Sequence, residues 1–152
     1  MNMNHGRMMK IALNEAEKAR RLGEVPIGAI VVADRNQVMA AEHNRTITLS
    51  DPTAHAEILA LRTAAAKIGN YRLLNTTLYV TVEPCPMCMG AAIHARVSRV
   101  VFGTRDPRWG AAGSLYDFSN DLRFNHQPKV IEGICEVECK VLMQDFFREK
   151  RI

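Results

Sequence analysis

Nowhere does the sequence run apolar for anything near the roughly 20 residues that cross a bilayer, so no membrane partner is expected. The opening Met-Asn-Met-Asn-His-Gly lacks the charged-then-apolar layout of a secretory signal. Repeats, low-complexity tracts and linker-like stretches are also missing, which leaves one domain over residues 1–152 as the expectation. Cysteine is sparse, at four residues, and without an export signal these read as reduced thiols, ligands or nucleophiles rather than disulfides. The chain is long enough to bury a core without such staples. A cytoplasmic location follows from the same features. Charge of either sign is modest: 20 Lys and Arg against 16 Asp and Glu give +4, which permits a polyanionic partner without demanding one.

What is present reads as alternating helices and strands. Met8 to Leu22 carries apolar or small residues at Met9, Ala12, Leu13, Ala16 and Ala19, a helical spacing that Gly23 stops. "IGAIVVA" is a β-branched run, Asp34-Arg35-Asn36 a turn, and Gln37 to Ala41 its partner strand. A helix is expected from just after Asp51-Pro52 to Lys67, ended by Gly69-Asn70, then a buried strand over Thr77 to Thr81. Cys85 to Ala95 predicts a helix, Arg99 to Gly103 and Lys129 to Ile134 strands, and Val137 to Arg148 a closing helix. That last helix should turn Val137, Val141, Leu142 and Phe146 to one side. The order αββαβαβ, a long loop, then βα implies an α/β fold, a three-layer α/β/α sandwich around a mixed sheet of roughly five strands.

Chemistry concentrates in two short stretches. "TAHAEI" sets His55 and Glu57 two positions apart near a helix start, where side chains diverge by about 200° and cannot address one object side-on. "VEPCPMCMG" follows a strand directly, and its prolines suit a helix's first turn, so Cys85 and Cys88 should sit at a helix end. Unpaired N–H groups and the positive dipole end stabilise thiolate there, and thiolates three apart have the spacing of a zinc half-site. An ion lying off the end of the His55 helix can be approached by both His55 and Glu57. His55, Cys85 and Cys88 then supply three ligands, which leaves a tetrahedral zinc a position for water, the catalytic pattern. Glu57 is a conceivable fourth ligand. Two thiolates already neutralise the ion, however, so bound water is acidified less, and a carboxylate beside it is better employed as proton carrier.

Each motif also has a plain reading. An isolated H-x-E is usually surface helix, and C-x-x-C can be redox-active or simply buried. A structural zinc held by all four cysteines, with Cys135 and Cys139, is a further alternative. Without a Pro or His nearby, that second pair reads better as core thiols. His5, His43, His94 and His126 read as ordinary surface or core residues, and Met8, Met9, Met87, Met89 and Met143 as packing.

HAE followed by PCPMC resembles the cytidine/deoxycytidylate deaminase superfamily. "DPTAHAEILAL", "NYRL", "TTLYVTVEPC", "AIHARVSRVVFG", "RDPRWGAAGSL" and "DFFR" narrow the resemblance to the bacterial tRNA-specific adenosine deaminase family, from about Met8 to Arg148. The resemblance implies a cytidine deaminase-like fold, a homodimer with one zinc per subunit, and adenosine-to-inosine conversion at the wobble position of a tRNA anticodon stem-loop. An arginine tRNA with an ACG anticodon is the substrate it suggests. It makes His55, Cys85 and Cys88 the zinc ligands, Glu57 the proton shuttle, and Asn44 a hydrogen-bonding partner of the inserted base. Backbone N–H groups near Pro84 would help hold water or base, Asp106 would lie near flanking nucleotides, and Phe147 and Arg148 beside the anticodon. Phosphate contacts would fall to Arg45, Arg72, Arg105, Arg108, Arg148, Lys150 and Arg151. The chain departs from the family at Pro107-Arg108-Trp109 and at Thr46, and Trp109 is left to stack on a base or to pack between subunits. A free-base deaminase and a non-catalytic, RNA-binding zinc fold share the metal signature and stay open.

Overall fold

The computed structural model describes residues 4–150. Its elements run α1 (His5–Arg21), β1 (Gly28–Ala33), β2 (Gln37–His43), α2 (Ala56–Ile68), β3 (Thr77–Val82), α3 (Pro86–His94), β4 (Arg99–Thr104), β5 (Lys129–Ile131) and α4 (Glu136–Lys150). The five strands form one mixed sheet in the order β2-β1-β3-β4-β5. β1 runs antiparallel to both β2 and β3, while β3, β4 and β5 run parallel.

Strand alternation builds the three layers. Ala29, Val31, Leu78, Val80, Val100 and Phe102 point into a core closed by α2 and α3. The residues between them, Ile30, Val32, Tyr79 and Val101, point the other way, into a core closed by α1 and α4. The middles of β3 and β4 are buried on both faces, which is why Leu78–Val80 and Val100–Phe102 run continuously apolar rather than alternating. Gly103 lets α4 lie close on β4: an added Cβ would meet the Thr81 carbonyl oxygen at 2.7 Å and Cys139 Cβ at 2.9 Å.

Several boundaries differ from the sequence expectation for local reasons. α1 starts three residues early because the Asn4 side chain accepts the Arg7 N–H at 3.0 Å, an N-cap outside the apolar pattern. α2 starts only at Ala56. Asp51 accepts the Thr53 N–H at 2.8 Å and the Thr53 hydroxyl at 2.7 Å, so Pro52 belongs to a turn rather than marking the helix start. β5 stops at Ile131, short of the expected Ile134. The face of α4 was also misjudged: Cys139, Leu142 and Phe146 are buried, whereas Val137 and Val141 are exposed. Cys139, four residues before Met143 and three before Leu142, completes a stripe that the two valines do not share.

The carboxyl ends of parallel strands are where open α/β sheets gather ligands. Here β3 and β4 end side by side, with Val82 opposite Thr104 and the Glu83 N–H donating to the Thr104 carbonyl at 2.9 Å. The Glu83–Cys85 segment and the loop beginning at Arg105 therefore leave the sheet together.

Candidate active site

His55 and Cys85 occupy equivalent positions on different helices. Each is the N-cap residue, in extended conformation, of α2 and α3 respectively. Neither side chain caps its helix. At α2 the task falls to Asn44, whose Oδ1 accepts the Ala56 N–H at 2.7 Å, and this leaves the imidazole uncommitted. Because His55 lies outside the helix proper, the angular conflict with Glu57 disappears: only Glu57 is bound to the helical bearing.

The two helix tips converge. His55 Nδ1 lies 3.6 Å from Cys85 Sγ and 3.5 Å from Cys88 Sγ. A tetrahedral zinc with bonds of about 2.0–2.1 Å to nitrogen and about 2.3 Å to sulfur places such atoms roughly 3.6 Å apart, so the donor set fits that ion. Among the described residues this is the group of His, Cys and carboxylate donors close enough to share a metal. Glu57 is buried beside it, and its Oε1 has no hydrogen-bond partner. An unpartnered buried carboxylate oxygen is costly unless something is meant to meet it.

The electrostatics agree with the packing. The neighbouring Cys88 thiol, hydrogen-bonded to Cys85, brings Cys85 down to about 4, and His55 helps hold the thiolate. Cys88 moves the opposite way, through that same bond to Cys85 and through its burial. The pair thus retains one proton, which a bound cation would expel. Burial pushes Glu57 up to about 7, where a carboxyl can both take and give a proton near neutrality.

His55, Glu57 and Cys85 line a cavity of about 500 Å³ together with Ile27, Val82, Glu83, Met87, Asp106 and Trp109. Of the residues that the resemblance assigns to substrate, Asp106 lines the cavity, and the others lie elsewhere. Asn44 stands behind the cavity, its carbonyl spent on α2 and its amide hydrogens left to donate. Pro84 is buried and its carbonyl accepts the Ala111 N–H at 2.8 Å, while Cys85 beside it lines the cavity. Phe147 and Arg148 sit near the end of α4 and do not line the cavity. Phe147 packs edge-on to Phe146, and Arg148 pairs with Asp145. Arg45 and Arg105 are likewise paired, with Glu42 and Glu132, and Arg72 lies over the Tyr71 ring. Arg151 lies outside the described residues. Of the residues read as ordinary, Met8, Met9, Met89 and Cys139 are core, His94 is exposed, and Met87 instead lines the cavity.

Two buried carboxylates were missed. Glu83 accepts the N–H groups of Asp106, Ala112 and Ser114 at 3.0–3.1 Å and the Ser114 hydroxyl, clamping the loop that carries Asp106 and Trp109. Gly110 makes room for it, since a Cβ there would fall on the carboxylate and 2.5 Å from the Asp106 carbonyl oxygen. Glu24 does the same for the loop after β2, accepting the Ile47 and Thr48 N–H groups and the Thr48 hydroxyl. Thr46 adds its own hydroxyl to Glu24 at 3.4 Å. The available signal was an acid in an apolar setting, as in "YVTVEPC" and "GEVPIG".

Comparison with known proteins matches this geometry to a lineage. The MafB19-like deaminase family pattern matches residues 3–151. The tRNA-specific adenosine deaminase of Haemophilus influenzae is 49% identical over 145 residues, 95% of this chain and 84% of that one. Its Bacillus subtilis counterpart is 47% identical over 94% of this chain and 88% of that one. The chain belongs to the tRNA-specific adenosine deaminases. A solved structure from work on tRNA deaminases that edit adenosine to inosine at the wobble position superposes with a TM-score of 0.86. It is 43% identical, over 90% of this chain and 98% of that one. The three-layer sandwich expected from the element order and the deaminase fold expected from the resemblance are both the observed ones, and among the described residues no helix is long and apolar enough to cross a membrane.

Proposed function

We propose that this deaminase is one zinc-dependent domain that hydrolyses adenosine to inosine at the wobble position of a tRNA anticodon. An arginine tRNA with an ACG anticodon is the substrate the family resemblance implies. The observation that carries the proposal is the pair of Nδ1···Sγ separations, 3.6 and 3.5 Å, beside the unpartnered Glu57 oxygen in one cavity. His55, Cys85 and Cys88 would hold one zinc per subunit. Zinc bound there supplies the Lewis acidity that makes water nucleophilic near neutral pH.

The chain's own residues do the rest. Glu57 takes a proton from the attacking water and passes it to the ring nitrogen beside C6. It then takes the proton of the new C6 hydroxyl and delivers it to the amine, so that the C–N bond breaks, ammonia departs and C6 is left as a carbonyl. Its burial keeps bulk water from intercepting that proton, and Asn44 keeps the start of α2, hence Glu57, in place. An unpaired loop base can be extruded into such a cavity for a few kcal/mol or less, whereas a stem base cannot reach it.

A homodimer is supported by exposed apolar side chains at Ile47, Leu49, Tyr71, Leu74, Leu115 and Tyr116, and light scattering tests it. A cytoplasmic setting suits its four free thiols. The decisive assay measures inosine and ammonia from an anticodon stem-loop against free adenosine, adenine and guanine. Turnover of a free base with none on the RNA overturns the proposal.

A further inference from the structure

Trp109 is the only tryptophan in the chain, and it is 65% exposed although it lines the cavity that holds His55, Glu57 and Asp106. It is not on a loose loop. Its N–H and that of Arg108 donate to Asp106 Oδ1 at 3.2 and 3.0 Å, and the Asp106 carbonyl accepts the Gly110 N–H at 2.8 Å. Glu83 then holds Asp106 itself, and Pro84 holds Ala111. Among the described residues the indole has no aromatic neighbour and its N–H no acceptor. The fold thus uses a tight set of hydrogen bonds to hold a large apolar face out in water, at the rim of a catalytic cavity. Core packing does not account for it.

We infer that Trp109 is a stacking platform for a nucleobase flanking the reacting adenosine. This rests on the tRNA reading above. A base within reach of Glu57 lies at the enclosed end of the cavity, where Trp109, two-thirds exposed, is not; what the indole covers must lie at the mouth. In a single-stranded loop the occupant of the mouth is the next nucleotide. Every base has a π-face, so such a platform adds affinity with little sequence preference, about five- to hundredfold per base. Pro107 and Arg108 serve it differently: proline fixes the chain's approach, and arginine brings charge to the neighbouring phosphate.

The test uses zinc-loaded enzyme, with Glu57→Ala for binding and the native Glu57 for kinetics. Because Trp109 is the sole tryptophan, its fluorescence reports on this site alone. Addition of an ACG anticodon stem-loop quenches it. An abasic residue at one flanking position abolishes the quenching, while an abasic residue at the reacting position leaves it. Trp109→Ala raises KM for the stem-loop by roughly tenfold with kcat within about twofold, and Trp109→Phe recovers most of the loss. Saturating RNA binding by anisotropy with unchanged fluorescence overturns the inference. So does an unchanged KM in Trp109→Ala, or a KM rise that tracks subunit dissociation in light scattering. A stem-loop that binds and quenches but is not deaminated would refute the proposed substrate and leave the platform standing.

Discussion

Replacing Glu83 with glutamine should loosen the loop that carries Asp106 and Trp109 while leaving the sheet intact. In the native protein Oε2 accepts from the Ala112 and Ser114 N–H groups, both at 3.0 Å, and Oε1 from the Asp106 N–H and the Ser114 hydroxyl. The amide of Glu83→Gln keeps one acceptor. Turned to satisfy Ala112 and Ser114, it points an NH₂ at the Asp106 N–H, and the Ser114 hydroxyl can rotate to accept. One backbone donor is then orphaned, costing about 1–3 kcal/mol, and the retained bonds fall from charged to neutral strength, about 1 kcal/mol between them after solvent screening. The loop opens more easily by about 2–4 kcal/mol. Native-state hydrogen exchange at the Ala112 and Ser114 amides should quicken by about 30- to 1000-fold, whereas the Val80 and Val101 amides in the central strands change little. KM for the stem-loop should rise with it, because Asp106 and Trp109 ride on that loop. Unchanged exchange at Ala112 and Ser114 would refute the clamp; equal acceleration in β3 and β4 would show that Glu83 supports the whole fold instead.

Glu57→Ala should abolish turnover, by at least about 10³-fold, while zinc content measured by atomic absorption stays at one per subunit. Cys88→Ser should lose zinc and lower the melting temperature of the purified protein, with chelators producing the same shift in the native chain. Metal-free Glu57→Gln should gain on metal-free native protein as pH rises from about 4.5 to about 7, by on the order of 3 kcal/mol in denaturant melts. The sign follows from burial. Folding raises the Glu57 pKa, so its contribution is full below 4.5 and lost through 7, while the opposite slope from Cys85 is common to both proteins. Leu142→Ala, in the buried stripe of α4, should destabilise by about 2–5 kcal/mol, and Val141→Ala, on its exposed side, by under about 1 kcal/mol.

By itself the sequence determined the layer order and the candidate metal donors, because both are written in local patterns. β-branched runs and helical spacing are short-range properties, and "HAE" and "PCPMC" each carry their chemistry within a few residues. The sequence also foresaw that two helix tips would converge, and His55 Nδ1 does lie 3.6 and 3.5 Å from Cys85 and Cys88 Sγ. It misplaced the start of α2, since a proline in an Asx turn looks like a proline at N1 until the Asp51 side chain is seen. It misread the face of α4, because which stripe is buried depends on where β4 presents Gly103, a matter of packing between distant segments. Above all it gave no role to Glu24 and Glu83. Burying an ionised carboxylate is costly unless donors meet it, and loops 23 to 31 residues away bring the N–H groups that do so here. Nor could it show that Asn44 caps α2 and so frees His55, or that Phe147 and Arg148 stand apart from the cavity. Those assignments depend on which atoms meet across the fold, and only the tertiary structure decides that.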